Sequence, residues 1–515
     1  MEYSDNPELK VTYAYGAVGA SANAAGRVVK VEDINGWTYF EYDKLGNVSK
    51  ETKTVVLPNE DTVWQLSMYY MYDSWGRIGF MGYPDGEVVF YNYDKGGNLK
   101  AVQGFKYFGW PGTGQLYPYV QDIKYNKFGK RTEIKYGNDI ISTYQYDDMQ
   151  RLSSLQSGNN TEVLQTLNYQ YDDVGNITSI NNTAQTLPNG LGGIYTNTYS
   201  YDDIYRLTNA SNQYIKDSTV LTKTTQMQYM ANGRITEKRH ALTSHNIGSP
   251  LPSLAQNSGF NNYSYNNNKI MSNDIISTTF AFDRKYNNYQ YDANGNMTEI
   301  KTSENYLSSP FPPLKPKISA LRNLYWNEED QLQAMIDFDN SAYYFYNYTG
   351  ERTWKVVGPK ITQTMSGTTI KYNKFNQSTY YLFPQVSVTN SNYTKHIFAG
   401  EERICSKIGN GQTNTIPAPT PPTQAEITAK RDNQINLMKK VYPNMCIRTT
   451  PISCAILNNA NIMEYNLLKS SMNKITTPTT VYEDKQYFYL SDHLGSSSWI
   501  TDKDGNALQH LSYLP

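Results

Sequence analysis

Histidine and cysteine carry the widest chemical repertoire, and in this 515-residue chain both are sparse. His240, His245, His396, His493 and His510 make no His-Glu-x-x-His pair, and Cys405, Cys446 and Cys454 make no Cys-x-x-Cys. The spacings that gather zinc ligands are therefore missing, as is the Gly-x-Ser-x-Gly of a nucleophile elbow. Asp492, His493 and Ser496 invite a hydrolase triad. A triad converges in space from separate elements, whereas these three crowd into one short run. Asp502-Lys503-Asp504-Gly505 resembles half a calcium loop, but its glycine falls at the fourth position rather than the sixth and no glutamate stands at the twelfth. A hairpin turn is the better reading. Cys446 and Cys454 are close enough in sequence to pair, with two buried thiols as the plainer alternative. The residues imply no catalytic, metal or cofactor site, and the chain reads as a non-enzyme.

The side chain in excess is tyrosine, with 47 copies against 16 Phe and 7 Trp. Rings beside carboxylates could stack on pyranoses, so surface carbohydrate is one candidate partner. The alternative is that the rings pack a pleated, half-buried sheet while the hydroxyls stay wet. The second reading is preferred, because the tyrosines recur in a unit built for turning the chain.

That unit is Tyr-x-Tyr-Asp-x-x-Gly-Asn/Arg-hydrophobic. Its clearest copies centre on Tyr42, Asp43 and Gly46; Tyr72, Asp73 and Gly76; Tyr93, Asp94 and Gly97; Tyr171, Asp172 and Gly175; and Tyr291, Asp292 and Gly295. Weaker copies carry Tyr125, Tyr146, Tyr201, Tyr229, Tyr265, Trp326 and Tyr346 at the anchor position. The anchors from Tyr42 to Tyr346 recur about every 28 residues, with apolar alternation rather than helical three-and-four spacing.

In YNYDKGGNL, Tyr91 and Tyr93 fall on one face of a strand. Asp94 can accept turn N–H groups, Gly97 can take a positive φ without steric cost, and Leu99 restarts the alternation. The unit reads as strand, four- or five-residue turn, strand. Copies with Gln150, Tyr205 or Asn268 in place of the glycine are expected to use a different turn, because Gln and Tyr tolerate the left-handed region poorly. Pro84-Asp85-Gly86 and Asn35-Gly36 signal further hairpins. The fold class is therefore all-β, a tandem array of hairpins.

Charge and hydropathy narrow the partners. The net charge is −1, from 46 basic and 47 acidic residues. No basic stripe supports nucleic-acid binding. Mean hydropathy is −0.64, no apolar run reaches transmembrane length, and MEYSDNPELK lacks the basic and apolar segments of a signal peptide.

The repeated unit resembles that of the RHS/YD-repeat family, which comprises bacterial Rhs proteins, the cocoon subunits of insecticidal Tc toxins, and teneurins. Residues 487–515, YFYLSDHLGSSSWITDKDGNALQHLSYLP, are similar to the opening of the RHS-associated core through Tyr489, Asp492, His493, Leu494, Gly495 and Ser496. YTKHIFAGEERICSKI, residues 393–408, resembles the segment that precedes it. The resemblance implies a β-sheet spiral that forms a hollow shell around a C-terminal toxin or effector, in a secreted or surface-displayed bacterial protein. This chain is shorter than complete shells and stops at Pro515, before the self-cleavage aspartates of the later core. An open or partial shell is expected. The implied organisation is a repeat shell over 1–408, an insert over 409–486 and the start of the core over 487–515.

The insert begins with a proline-rich linker, IPAPTPPT at 416–423. It continues into the best helix candidate of the chain, Gln424 to Tyr442, followed by a second candidate from about Ala460 to Met472. A tolerated surface insertion is the preferred reading of the insert. A plug or docking element is the alternative.

Overall fold

Strand-forming alternation and turn residues at short intervals produce antiparallel hairpins along nearly the whole chain. The computed structural model describes residues 6–57, 63–107, 114–216, 219–247, 257–266, 269–277, 283–306, 317–365, 368–389, 392–410, 422–443, 445–447, 483 and 485–511. The all-β expectation is met. Described strands pair mainly with their neighbours in sequence, and the α-helix among the described residues is Gln424–Val441. None of its windows is long and apolar enough to cross a membrane. The second helix candidate, the linker residues 416–421, Cys454 and Asn268 lie outside the described residues, as does the side chain of Cys446.

The chain divides into two compact units. The first contains Met1–Pro118, Asn323–Ala399 and Ser406–Gln486. Its opening ladder runs Val28–Asp33, Gly36–Tyr42, Val48–Val56, Val63–Tyr72, Ile78–Gly82, Val88–Tyr93 and Leu99–Tyr107, each antiparallel to the next. The second contains Tyr119–Arg322, Gly400–Cys405 and Tyr487–Pro515. Its ladder includes Arg131–Tyr136, Ile141–Tyr146, Leu152–Gly158, Val163–Tyr171, Ile177–Asn182, Tyr195–Tyr201, Leu207–Lys216, Thr219–Tyr229 and Ile235–Asn246. Leu155, Leu167, Tyr169 and Ile180 form one core cluster there, with Tyr144, Tyr195 and Tyr199 packed against it.

The repeat turn is one structure used many times. In each copy the register slips at the anchor residue, as between Glu41 and Tyr42, Asn92 and Tyr93, and Gln170 and Tyr171. The Asp N–H donates to the carbonyl four residues on, and the Gly N–H donates back to the Asp carbonyl; for Asp94 the two distances are 2.8 and 3.1 Å. This is a tight turn closed by a left-handed residue and a β-bulge. Gly46, Gly97 and Gly175 have φ of 91°, 87° and 96°.

The expectation of another turn type at Gln150 and Tyr205 is corrected. Both keep the same two hydrogen bonds and take φ of 61° and 65° themselves. The bulge and the aspartate network hold the backbone there, so the side chain accepts the strain rather than changing the turn.

The helix starts where the sequence placed it, through a cap that the sequence reading overlooked. Thr423 and Glu426 form a reciprocal capping box. Ile427 packs on Trp37 and Val56. Gln434 donates to the Ile34 and Val56 carbonyls at 3.1 Å each, and the Tyr442 hydroxyl donates to the Ala342 carbonyl at 2.7 Å. The helix is therefore packed on the strands of the first unit.

Candidate functional site

The tyrosine, aspartate and arginine or asparagine of each repeat have definite work. The Asp carboxylate accepts turn N–H groups through one oxygen. Asp73 Oδ1 takes those of Trp75 and Arg77 at 2.9 and 3.0 Å. Its other oxygen takes the side chain at the fifth turn position: Asn98 Nδ2 donates to Asp94 at 3.1 Å, and Arg77 Nε donates to Asp73 at 2.7 Å. That partner explains Asn or Arg at this place. The Asn98 and Asn176 amides hold the carboxyls of Asp94 and Asp172 below the usual range.

The anchor hydroxyl reaches the preceding turn. Tyr42 donates to the Val28 carbonyl at 2.6 Å, Tyr171 to Leu152 at 2.8 Å, Tyr201 to Ile177 at 2.8 Å and Tyr291 to Ile270 at 2.9 Å. A fifth-position arginine completes the clasp from the other side. Arg77 donates to the Gly97 carbonyl at 3.0 Å and lies 4.1 Å from the Tyr93 ring centre. Arg151 and Arg206 do the same toward Asp172 with Tyr171 and toward Met230 with Tyr229. Repeats are thus joined through the anchor hydroxyl and, where the fifth position is Arg77, Arg151 or Arg206, also through a guanidinium over a ring face.

The core-motif residues sit in the second unit and build the same turn without its tyrosine. Asp492 Oδ1 accepts the N–H groups of Leu494 and Ser496 at 2.8 and 2.9 Å, and Gly495 has φ of 79°. The residue before Asp492 is Ser491, where the register slips. Asp502 to Asn506 repeat the pattern, with Asn506 Nδ2 at 2.9 Å from Asp502 and Gly505 at φ 83°. The calcium-like run is thus a hairpin turn. The His493 ring meets Tyr169 edge-on at 5.2 Å, and burial pushes its pKa down against the opposing pull of Asp492. His493, Leu494 and Asp492 line a groove of about 300 Å³ with Tyr169, Tyr195 and Tyr199.

The strongest electrostatics belong to residues that the sequence reading passed over. In the first unit Lys395 and Lys407 are fully buried. Lys395 Nζ lies 2.6 Å from Asp85, 2.7 Å from Glu483, and against Glu87. Lys407 Nζ meets Glu483 at 3.3 Å and the Tyr117 hydroxyl at 2.9 Å; Lys106 Nζ meets Asp85 at 2.9 Å and Glu483 at 3.1 Å. Tyr117 donates to Glu87, and Tyr393 donates to Glu483 at 2.6 Å. Three lysines face three carboxylates, so the network is neutral. Burial disfavours the Lys395 ammonium, but the three carboxylates outweigh it and hold the group well above its usual range. Burial likewise raises Glu87, and Lys395 and Lys407 reverse that, bringing it down to about 2.

The carboxylate oxygens of Asp85, Glu87 and Glu483 lie within 4.8 Å of one another, close enough for a cation. The Lys395 ammonium takes that position. The arrangement ties the Tyr83–Glu87 turn to segments some three hundred residues away. A lysine on the apolar-alternating strand Asn392–Ala399 was the available signal for it.

No protein-family model matches this chain, and neither does any curated protein. Solved structures do. TcdB2-TccC3-TEV matches with a TM-score of 0.62 and 17% identity over 98% of this chain and 21% of that one. The Photorhabdus luminescens Tc holotoxin pore with a mutated TccC3 matches with a TM-score of 0.63 and 17% identity over the same shares. TcdB2-TccC3 itself gives 0.61 and 18%, over 98% and 22%. The chain therefore spans about a fifth of the chains it matches, and at this identity the likeness is one of fold.

Proposed function

We propose that this chain is a structural segment of an RHS-type shell, a non-enzymatic wall that encloses or displays a polypeptide effector of a secreted or surface bacterial protein. The observation that carries the reading is the inter-repeat clasp. The anchor hydroxyls and the fifth-position arginines join one turn to the next, and the first-position aspartates are engaged in holding their own turns. The fold likeness to TcdB2-TccC3 over nearly the whole chain supports it, and the TccC3 of those assemblies makes a polypeptide cargo the natural partner. In this reading residues 1–408 make the wall, 409–486 form an insert whose helix Gln424–Val441 packs on it, and 487–515 begin the core. Carbohydrate stacking on the anchor tyrosines is disfavoured, since neighbouring carbonyls take their hydroxyls and cations cover several of their rings.

Small-angle scattering tests the wall. A compact chain of this length has a radius of gyration of roughly 24 Å. A wall around solvent should exceed it, and a value at or below it with a solid-sphere distance distribution would overturn the proposal. Reading the gene downstream of Pro515 tests the cargo. A completed core followed by an unrelated domain is expected, whereas an immediate stop would remove the effector from the reading.

A further inference from the structure

The fold draws on the backbone of the third position of the repeat turn, and a polar side chain there adds a bond in some copies, as Asn232 Oδ1 accepts the Arg234 N–H and the Thr349 hydroxyl donates to Asn347. The third-position N–H donates to the first residue of the turn, as Val174 does to Asp172 and Ile204 to Asp202. Asn232, Asn294 and Thr349 occupy the same place in turns that close with the same backbone bonds. Nothing in the turn therefore asks for an apolar side chain. Yet four successive turns of the second unit carry Phe128, Met149, Val174 and Ile204 there, and these are 57%, 67%, 59% and 61% exposed. The run ends at Asn232.

These turns share one end of the ladder, each separated from the next by two strand-to-strand steps, or about 9.6 Å. The second turn positions add charge. Asp148, Asp173 and Asp203 stand beside Met149, Val174 and Ile204, all three are exposed, and none is in an ion pair among the described residues. Asp147 and Asp202, by contrast, are neutralised by Arg151 and Arg206. The result is a row of evenly spaced apolar tips, three of them flanked by unpaired carboxylates, which the fold does not require.

We propose that this row, Phe128 to Ile204, is a docking surface for a basic segment of a partner polypeptide in polyproline II conformation, with an apolar residue at every third position. Charge complementarity selects lysine or arginine beside the apolar residues that meet Met149, Val174 and Ile204, whereas the Phe128 tip carries Lys127, whose Nζ lies 5.0 Å from the ring centre. Pitch selects the conformation. A polyproline II segment returns to the same face every three residues, a rise of about 9.3 Å. An α-helix returns only after about 10.5 Å, at seven residues, and drifts out of step over four tips. A β-strand rising about 9.9 Å over three residues has turned its side chain to the other face. An extended segment also follows a row that curves with the sheet twist, which a straight helix does not.

The probe is a labelled synthetic peptide of five Leu-Pro-Lys triplets, titrated into the full chain by fluorescence anisotropy. Saturable binding that weakens with salt is expected. The triple variant Met149→Asn, Val174→Asn, Ile204→Asn places at each tip the residue that Asn232 and Asn294 already show to be compatible with the turn. It should melt like the parent and bind at least tenfold more weakly. Asp148→Asn, Asp173→Asn, Asp203→Asn should weaken binding severalfold and flatten its salt dependence. No binding by the parent chain, or equal binding by the parent and both variants, overturns the proposal. So does tighter binding of a helical peptide with leucine at every seventh position. Sedimentation of the parent as a dimer that the tip variant abolishes would also overturn it, by assigning the row to a second copy.

Discussion

Two ion pairs of nearly equal length show how differently the same chemistry can act. Arg77 and Asp73 meet at 2.6 Å within one turn, with both side chains about a quarter exposed. Lys395 and Glu483 meet at 2.7 Å with both side chains almost wholly buried, and they come from segments far apart in sequence. The first pair is screened by water and contributes little as a charge pair. Its use is geometric, since it aims the guanidinium at the next repeat. The second has lost its hydration, and its network is tolerable only because three cations answer three anions. Turn pairs are thus separable and repeatable, while the buried network is cooperative and occurs once among the described residues.

The largest effect should come from unbalancing that network. Lys395→Met leaves buried carboxylate charge uncompensated and should cost about 3–5 kcal/mol. Arg77→Ala, which removes a solvent-screened pair and the clasp on Tyr93 and Gly97, should cost clearly less. Urea midpoints measure both, and comparable losses would erase the distinction between the two regions.

The same comparison has a pH form. Glu87 is lowered in the folded chain to about 2, from an ordinary value of 4.5. A group depressed on folding contributes fully above its unfolded value and loses that contribution as pH falls through its folded value. Stability should therefore decline below about pH 4.5 and continue to decline toward pH 2. Glu87→Gln should flatten this slope in acid melting curves. An unchanged slope would mean that the network is not what titrates.

Within the turns, strain can be added or relieved. Gly97→Val forces a branched residue to φ 87° and should destabilise by about 1–3 kcal/mol. Tyr205→Gly removes an existing strain at φ 65° and should stabilise by about 0.5–1 kcal/mol, after the entropy cost of glycine. Thermal melts of the two variants should move in opposite directions. An effect of similar size is expected for Tyr171→Phe, which removes only the hydroxyl bond to the Leu152 carbonyl and should cost about 0.5–1.5 kcal/mol. A neutral result there would reduce the clasp to ring packing.

Much of the repeat was legible because its contacts are local. Tyr, Asp, Gly and Asn or Arg stand a fixed few residues apart, so their spacing encodes the turn, the bulge and the strand faces. The turns at Gln150 and Tyr205 were misread for a related reason. Single-residue preference spoke against the left-handed region, while the surrounding hydrogen bonds, invisible to preference, held the backbone there. The hairpin turn preferred over a calcium loop at Asp502 is present, and Asp492, set aside as a triad member, forms another turn of the same kind.

By itself, then, the sequence determined the class of fold, the position of the repeat hairpins and the start of the helix, because hydrogen bonds across four residues need no knowledge of distant chain. The tertiary structure alone decided the partners of Lys395, Lys407 and Glu483, the seat of the helix on the Ile34 and Val56 carbonyls, and which carbonyl each tyrosine hydroxyl meets. Those choices rest on strands brought together by pairing across tens to hundreds of residues. A lysine there reads as an ordinary surface charge until the sheet closes over it and removes its water.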